Sequence, residues 1–287
     1  MRDRTDKKRN LWKAFAGAAA LAGIGAAAWF AWRTDPSLRR LQRAGAIRVG
    51  YAVEAPYAFA TPDGEVTGES PEIAKRIIGR LGIGKIVWRS MEFRSLIDEL
   101  EAGNIDLIAS GLFVTPERSR RVAFSMITCQ VYSGLLVAKG NPKALHSCLQ
   151  VVQDPSVRLA VLSGSVEERL YRSYGIPSNR LVITPDALTG RAAVANGLAD
   201  ALALSSPSVN WIALNDPTAR TEAAIPFEAA PEEKPGCGAF AFRKKDRAFL
   251  QAWNKALGSY LGSEEHLPCV ARFGFAPRDL PRLVVQK

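Results

Sequence analysis

Gly103-Asn-Ile-Asp-Leu-Ile-Ala-Ser-Gly-Leu-Phe-Val-Thr-Pro-Glu-Arg-Ser-Arg-Arg-Val-Ala-Phe-Ser125 packs a strand, a turn and a helix start into one short run. Residues 105–109 read as a short buried strand, and Ser110-Gly111 lets the backbone turn. Thr115-Pro-Glu-Arg118 has the form of a helix start, with Thr115 as cap and Pro116 at the first helical position. Arg118 then stands near the end of an apolar strand, beside the first turn of a helix. A guanidinium fork there takes a carboxylate bidentately, helped by free N–H groups nearby. A lone arginine is otherwise a surface ion-pair residue, so the sequence on either side decides its meaning.

Outward from this run, strand and helix patterns alternate. Residues 47–51 open a strand, 71–81 repeat apolar residues at helical spacing, 85–88 form a strand and 95–102 a helix. Residues 131–137 read as one further strand, ended by Gly140-Asn-Pro142. A second series follows: strand 158–162, helix 166–174 opened by Ser163-Gly164-Ser165, strand 181–183, helix 187–197 and strand 201–204. Residues 226–236 read as a connection, before a strand at 238–242 and a helix at 246–261. This order predicts an α/β protein of two lobes with mostly parallel sheets. The chain crosses between lobes twice, near residues 138–141 and 233–238. The first lobe is expected over 45–138 and 236–287, and the second over 139–235. A cleft between such lobes is a natural ligand site that closes by hinge motion.

The 287 residues are 47% hydrophobic and 23% charged, which is ordinary globular composition with room for two moderate domains. Net charge is +10, of which six basic against two acidic residues in the first thirteen supply +4. No basic stripe interleaved with aromatics and no nucleic-acid motif accompanies it, so nucleic acid is not an expected partner. The basic start and the uncharged residues 14–32 mark residues 1–32 as a targeting segment. It is either a signal peptide cleaved after Ala28 or a retained membrane anchor, and both place the rest of the chain outside a membrane. Cys129, Cys148, Cys237 and Cys269 lie in that exported part. They lack C-x-x-C spacing, and only His146 and His266 accompany them, so zinc is disfavoured and neither metal nor cofactor is expected. One structural disulfide and buried free thiols both remain open readings.

At this point the ordered motifs resemble a known family. Gly68-Glu-Ser-Pro-Glu-Ile-Ala74, Phe93-Arg-Ser-Leu-Ile97, Gly103-Asn-Ile-Asp-Leu-Ile108, Thr115-Pro-Glu-Arg118, Leu136-Val-Ala-Lys-Gly-Asn-Pro142 and Gly238-Ala-Phe-Ala-Phe-Arg-Lys244 follow one another as in extracytoplasmic solute-binding proteins of amino-acid-type ABC importers. Within that family, Ala52-Val-Glu-Ala-Pro-Tyr57 and Gly140-Asn-Pro-Lys-Ala-Leu-His-Ser147 are most similar to the ectoine/hydroxyectoine-binding branch. The resemblance implies a two-lobed periplasmic binding protein-like fold of type II, a monomer in the periplasm or other extracytoplasmic space, and an ABC permease as partner.

It also implies roles. Arg118 binds a ligand carboxylate. Tyr57, Phe93 and Phe113 cage a cationic or delocalised group, and Glu54 is its counter-charge. Glu117 belongs to the site or merely favours its helix N-terminus. Gly164 and Ser165 offer N–H groups from the second lobe, and Glu167 accepts from the ligand cation. Two departures from the amino-acid binders matter. Phe113 stands where a hydroxyl is usual, and Ser205 where an Asp usually holds the α-ammonium. Both point to a zwitterion whose positive charge is spread over a ring, such as ectoine. A polar amino acid is the alternative ligand. The alternative activity is that of a cyclohexadienyl or arogenate dehydratase, with Glu54 and Glu167 as acid–base groups.

Overall fold

A computed structural model describes residues 35–230 and 233–281. The targeting segment therefore lies outside the described residues. Among the described residues, no helix is long and apolar enough to cross a membrane.

The first lobe begins with helix Ser37–Ala44 and strand β1 (Ala46–Tyr51). A small hairpin follows, β2 (Phe59–Ala60) and β3 (Val66–Thr67), and then helix Glu69–Arg80. Strand β4 (Lys85–Ser90), helix Leu96–Ala102, β5 (Leu107–Ile108), helix Pro116–Arg121 and β6 (Val122–Val131) come next. The chain returns at its end with β12 (Gly236–Arg243) and helix Arg247–Tyr260. The sheet order is β4-β1-β5-β12-β6. β1 lies parallel to β4 and β5, while β12 is antiparallel to β5 and β6. Ile73, Ile77, Phe249, Trp253 and Leu257 recur at four-residue spacing and seal one face of this sheet against Val49, Leu107, Phe240 and Phe242.

β5 is shorter than the expected 105–109, although Asp106 N and Ala109 N still donate to the Arg48 and Gly50 carbonyls at 2.8 and 3.0 Å. Ala52 N donates to Ser110 Oγ at 3.0 Å where a backbone partner would otherwise stand. Asp106, 2% exposed, turns into an ion cluster with Arg48 (3.0 Å) and Arg243 (2.9 Å).

The second sheet contains β7 (Ser133–Ala138), β8 (Leu159–Leu162), β9 (Leu181–Thr184), β10 (Ala201–Ser205) and β11 (Thr221–Ala223), in the order β11-β7-β10-β8-β9. Both its faces are covered. Leu135, Val137, Leu159, Val161 and Ala203 pack into one cluster, and Leu136, Ala160, Leu162, Leu202 and Leu204 into another. That explains why these strands read as continuous apolar runs.

One boundary needs correction. β7 pairs with β10 from Val137↔Ala201 to Ser133↔Ser205, so residues 133–138 belong to the second sheet. The chain leaves the first lobe at Tyr132, not near 138–141. The apolar run 131–137 conceals this, because it is two strands divided at a half-exposed tyrosine. The ten-residue β6 before it was not expected at all. The return crossing falls between Glu228, bridged to Ser147, and Gly236, which stands opposite Val131. Helices Cys148–Gln153, Ser206–Leu214 and His266–Ala271 were also not anticipated. All four cysteines are free thiols, and Cys129, Cys148 and Cys269 are buried.

Candidate functional site

Thr115 adopts extended geometry and its Oγ1 accepts from Arg118 N at 3.2 Å, which starts helix Pro116–Arg121 and aims Arg118 inward. The Arg118 side chain is buried although it carries a charge. Nη1 donates to the Phe113 carbonyl at 2.8 Å, within its own lobe. Nη2 donates to the Gly164 carbonyl at 3.0 Å, on the opposite lobe. The guanidinium carbon sits 5.3 Å from the centroid of the Phe93 ring. A guanidinium has five N–H groups, so three remain without a protein acceptor. Burial and the nearby Arg169 push its pKa down to about 10, against the pull of Glu167, Glu117 and Glu54. It stays a cation at neutral pH.

Around it the lobes close down to a small cavity of about 20 Å³. The first lobe contributes Glu54, Tyr57, Phe93, Gly111, Phe113 and Arg118. The second contributes Ser165, Val166, Glu167, Leu204 and Ser205. Tyr57 meets Phe113 edge-to-face with ring centroids 6.2 Å apart, and Phe275 supports it from behind at 5.4 Å. Its hydroxyl is buried with no hydrogen-bond partner. Gly111 has φ +60°, and a Cβ there would drive into the Tyr57 ring. Only glycine lets the turn after β5 adopt this angle and pass so close. Gly111 N donates to Ser70 Oγ at 2.9 Å, and Ser70 Oγ donates to the buried Glu69 carboxyl at 2.6 Å. This chain fixes the cavity wall from behind.

Two carboxyl groups face the cavity. Burial raises Glu54 to about 7, the Glu167 charge adds to this, and the Ser208 hydroxyl and Arg118 oppose it. Burial also raises Glu167, against its own N–H, Ser165 and Arg118. Ser208 is fully buried, and its Oγ donates to Glu54 Oε1 at 2.8 Å across the cleft. Ser205 Oγ in turn donates to Ser208 Oγ at 3.2 Å and caps helix Ser206–Leu214.

Eight of the ten residues singled out by sequence line the cavity: Glu54, Tyr57, Phe93, Phe113, Arg118, Ser165, Glu167 and Ser205. Gly164 stands behind the wall, where its carbonyl rather than its N–H is used, and the N–H is taken by Glu168 at 2.7 Å. Glu117 turns away and meets Arg169 of the other lobe at 3.5 Å, so its carboxylate joins the lobes instead of facing the cavity. Gly111, Val166, Leu204 and Ser208 were not foreseen. Ser205-Ser-Pro207 carried the signal for the last of them, since a capping serine before proline opens a helix that brings residue 208 inward.

The lobes also meet through Trp211, 5.6 Å from Phe59 and 6.2 Å from Phe273 between ring centroids. Two α/β lobes closed on a small cavity that holds one buried arginine, two carboxyl groups and three aromatic rings define a cleft-type small-molecule-binding protein. Residues 47–267 match the model of the bacterial extracellular solute-binding proteins, family 3, and the chain belongs to that family. Its relatives include the probable amino-acid ABC transporter periplasmic-binding protein y4tE of Sinorhizobium fredii. That protein is 29% identical over 85% of this chain and 82% of its own length. The lysine/arginine/ornithine-binding periplasmic protein of Escherichia coli is 28% identical over 74% of this chain and 81% of its own. Among solved structures, EhuB in complex with hydroxyectoine superposes with a TM-score of 0.78 at 30% identity, covering 85% of this chain and 94% of that one. The protein is thus a solute-binding protein of an amino-acid-type ABC importer, in a family whose ligands are small and amino-acid-like.

Proposed function

We propose that this protein captures a zwitterion with a ring-delocalised cation, of the ectoine/hydroxyectoine kind, and delivers it as a monomer to an ABC permease. The supporting observation is the set of groups around the cavity. Arg118 has three N–H groups free for a carboxylate, Tyr57, Phe93 and Phe113 are grouped beside it, and no carboxylate stands at Ser205 for an α-ammonium. In this reading Arg118 and Ser165 hold the carboxylate, the rings flank the cation, and Glu54 or Glu167 accepts its N–H. Residues 1–32 direct export, residues 37–132 with 236–281 form the first lobe, and residues 133–230 form the second. The similarity to the hydroxyectoine-bound EhuB supports the same ligand class.

A second reading has its own observation. Two carboxyl groups face one cavity, and a basic amino acid carries two cations to meet them. In this proposal Glu54 and Glu167 act as hydrogen-bond acceptors for the ligand rather than as acid–base catalysts. Calorimetric titration with ectoine, hydroxyectoine and L-arginine separates the readings. Micromolar or tighter ectoine binding that Arg118→Ala abolishes supports the first. Arginine binding without ectoine binding replaces it with the second. Turnover of prephenate or arogenate would restore the enzymatic alternative.

A further inference from the structure

We propose that the cleft closes over its zwitterion together with one proton, held between Glu54 and Glu167. The inference rests on the zwitterion reading above and concerns the charge that closure must enclose.

Behind the Tyr57 wall, burial raises the pKa of Glu69, whose carboxyl accepts from Ser70 Oγ at 2.6 Å and is kept from the cavity. Arg118 is the one cation facing it among the described residues, and Glu54 and Glu167 face it with carboxyl groups. Arg169 approaches Arg118 but is matched by Glu117 at 3.5 Å. Glu233, behind Glu167, is engaged by the Ser133 N–H at 2.8 Å and hydroxyl at 2.7 Å. Glu168 takes Gly164 N at 2.7 Å and Arg172 Nε at 3.0 Å. Burial keeps the Tyr57 phenol neutral. A zwitterion adds one charge of each sign. Its carboxylate answers Arg118 and its cation answers one carboxylate, which leaves the second enclosed without a counter-charge.

An unpaired buried carboxylate costs several kcal/mol, and such a group takes a proton instead. A hydroxyl partner already stands in place for that proton. Ser208 Oγ, 2.8 Å from Glu54, both donates and accepts, so a protonated Glu54 simply reverses the bond. Burial and the neighbouring Glu167 already hold Glu54 near 7. With the lobes apart, water reaches both carboxyl groups and their ordinary values near about 4.3 apply. Closing at neutral pH therefore takes up a proton, and the pair rather than either residue titrates. A ligand with two cations neutralises both carboxylates and brings no proton.

The experiment titrates ectoine into the protein at about pH 7 in phosphate and in Tris, whose ionisation enthalpies differ, and then across about pH 6 to 8.5. The expected result is a buffer-dependent enthalpy equal to about half a proton taken up per ligand at pH 7, approaching one towards pH 6. The dissociation constant should weaken, by up to about tenfold per pH unit, as pH rises towards neutrality and level off above it. Glu167→Gln, shown folded by circular dichroism, should lose the buffer dependence and flatten the pH profile. Ectoine binding with a buffer-independent enthalpy in the unaltered protein would overturn the proton uptake and leave the zwitterion reading standing. Absence of ectoine binding at every pH, with L-arginine bound and no proton exchanged, would overturn both.

Discussion

Ser208→Ala removes a hydrogen bond that exists only when the lobes meet. Ser208 belongs to the second lobe and Glu54 to the first, and their 2.8 Å contact spans the cleft. Above neutral pH, where Glu54 is ionised, such a hydrogen bond to a charged group contributes about 1.5–3 kcal/mol net. Opening the lobes gives both partners back to water, so the loss falls on the closed state alone. Ligand affinity includes the free energy of closure, and the variant should bind roughly ten- to a hundredfold more weakly. Folding should hardly change, because the cap that Ser208 completes uses its backbone N–H towards Ser205 Oγ at 3.4 Å. Calorimetry gives the first quantity, and thermal unfolding without ligand gives the second. A double-mutant cycle with Glu54→Gln should show strong coupling. An affinity within twofold of the unaltered protein would refute the contact as a determinant of closure, and a large fall in melting temperature would reassign Ser208 to the core.

Glu117→Ala breaks a second contact across the cleft, but Arg169 and Glu117 remain in part solvated, so the expected loss is at most about 1 kcal/mol and under about fivefold in affinity. Phe113→Ala should weaken a ring-cation ligand by about 2 kcal/mol or less beyond the area lost, measured against an amino-acid ligand with a localised ammonium as control. Gly111→Ala should lower both affinity and melting temperature, because its methyl group meets the Tyr57 ring at a positive φ. Burial opposes ionisation of Asp106, yet hydrogen bonds from Arg48 and Arg243 overcome it and hold its pKa down to about 2. This is a depressed carboxyl, so its contribution is complete above the unfolded value near about 4 and is lost as pH falls towards 2. It amounts to about 2 kcal/mol. Acid unfolding followed by circular dichroism should show that slope in the unaltered protein and not in Asp106→Asn.

Much of this site is written locally in the chain. Thr115-Pro-Glu-Arg118 sets its own helix start, and that start alone aims Arg118, so no distant residue is needed to read it. Phe113, Glu54 and Tyr57 follow for the same reason, since each lies within a few residues of a strand end at the cleft. Ser208 and Leu204 were harder because their relevance depends on which element crosses the cleft. Glu117 misled because adjacent residues on a helix start point to different sides, here the cavity and Arg169. The boundary at Tyr132 was hidden by composition. β6 and β7 are both apolar, and only pairing with different sheets tells them apart.

That boundary has a mechanical meaning. The two passages between lobes leave the first sheet side by side, with Val131 opposite Gly236 in one ladder. Two adjacent anchors resist twisting and sliding and yield mainly to a bend across the line joining them. The lobes then swing like a door on paired hinges, along one path. A ligand that closes this door must let Arg118 and Glu54 on the frame meet Gly164 and Ser208 on the door together.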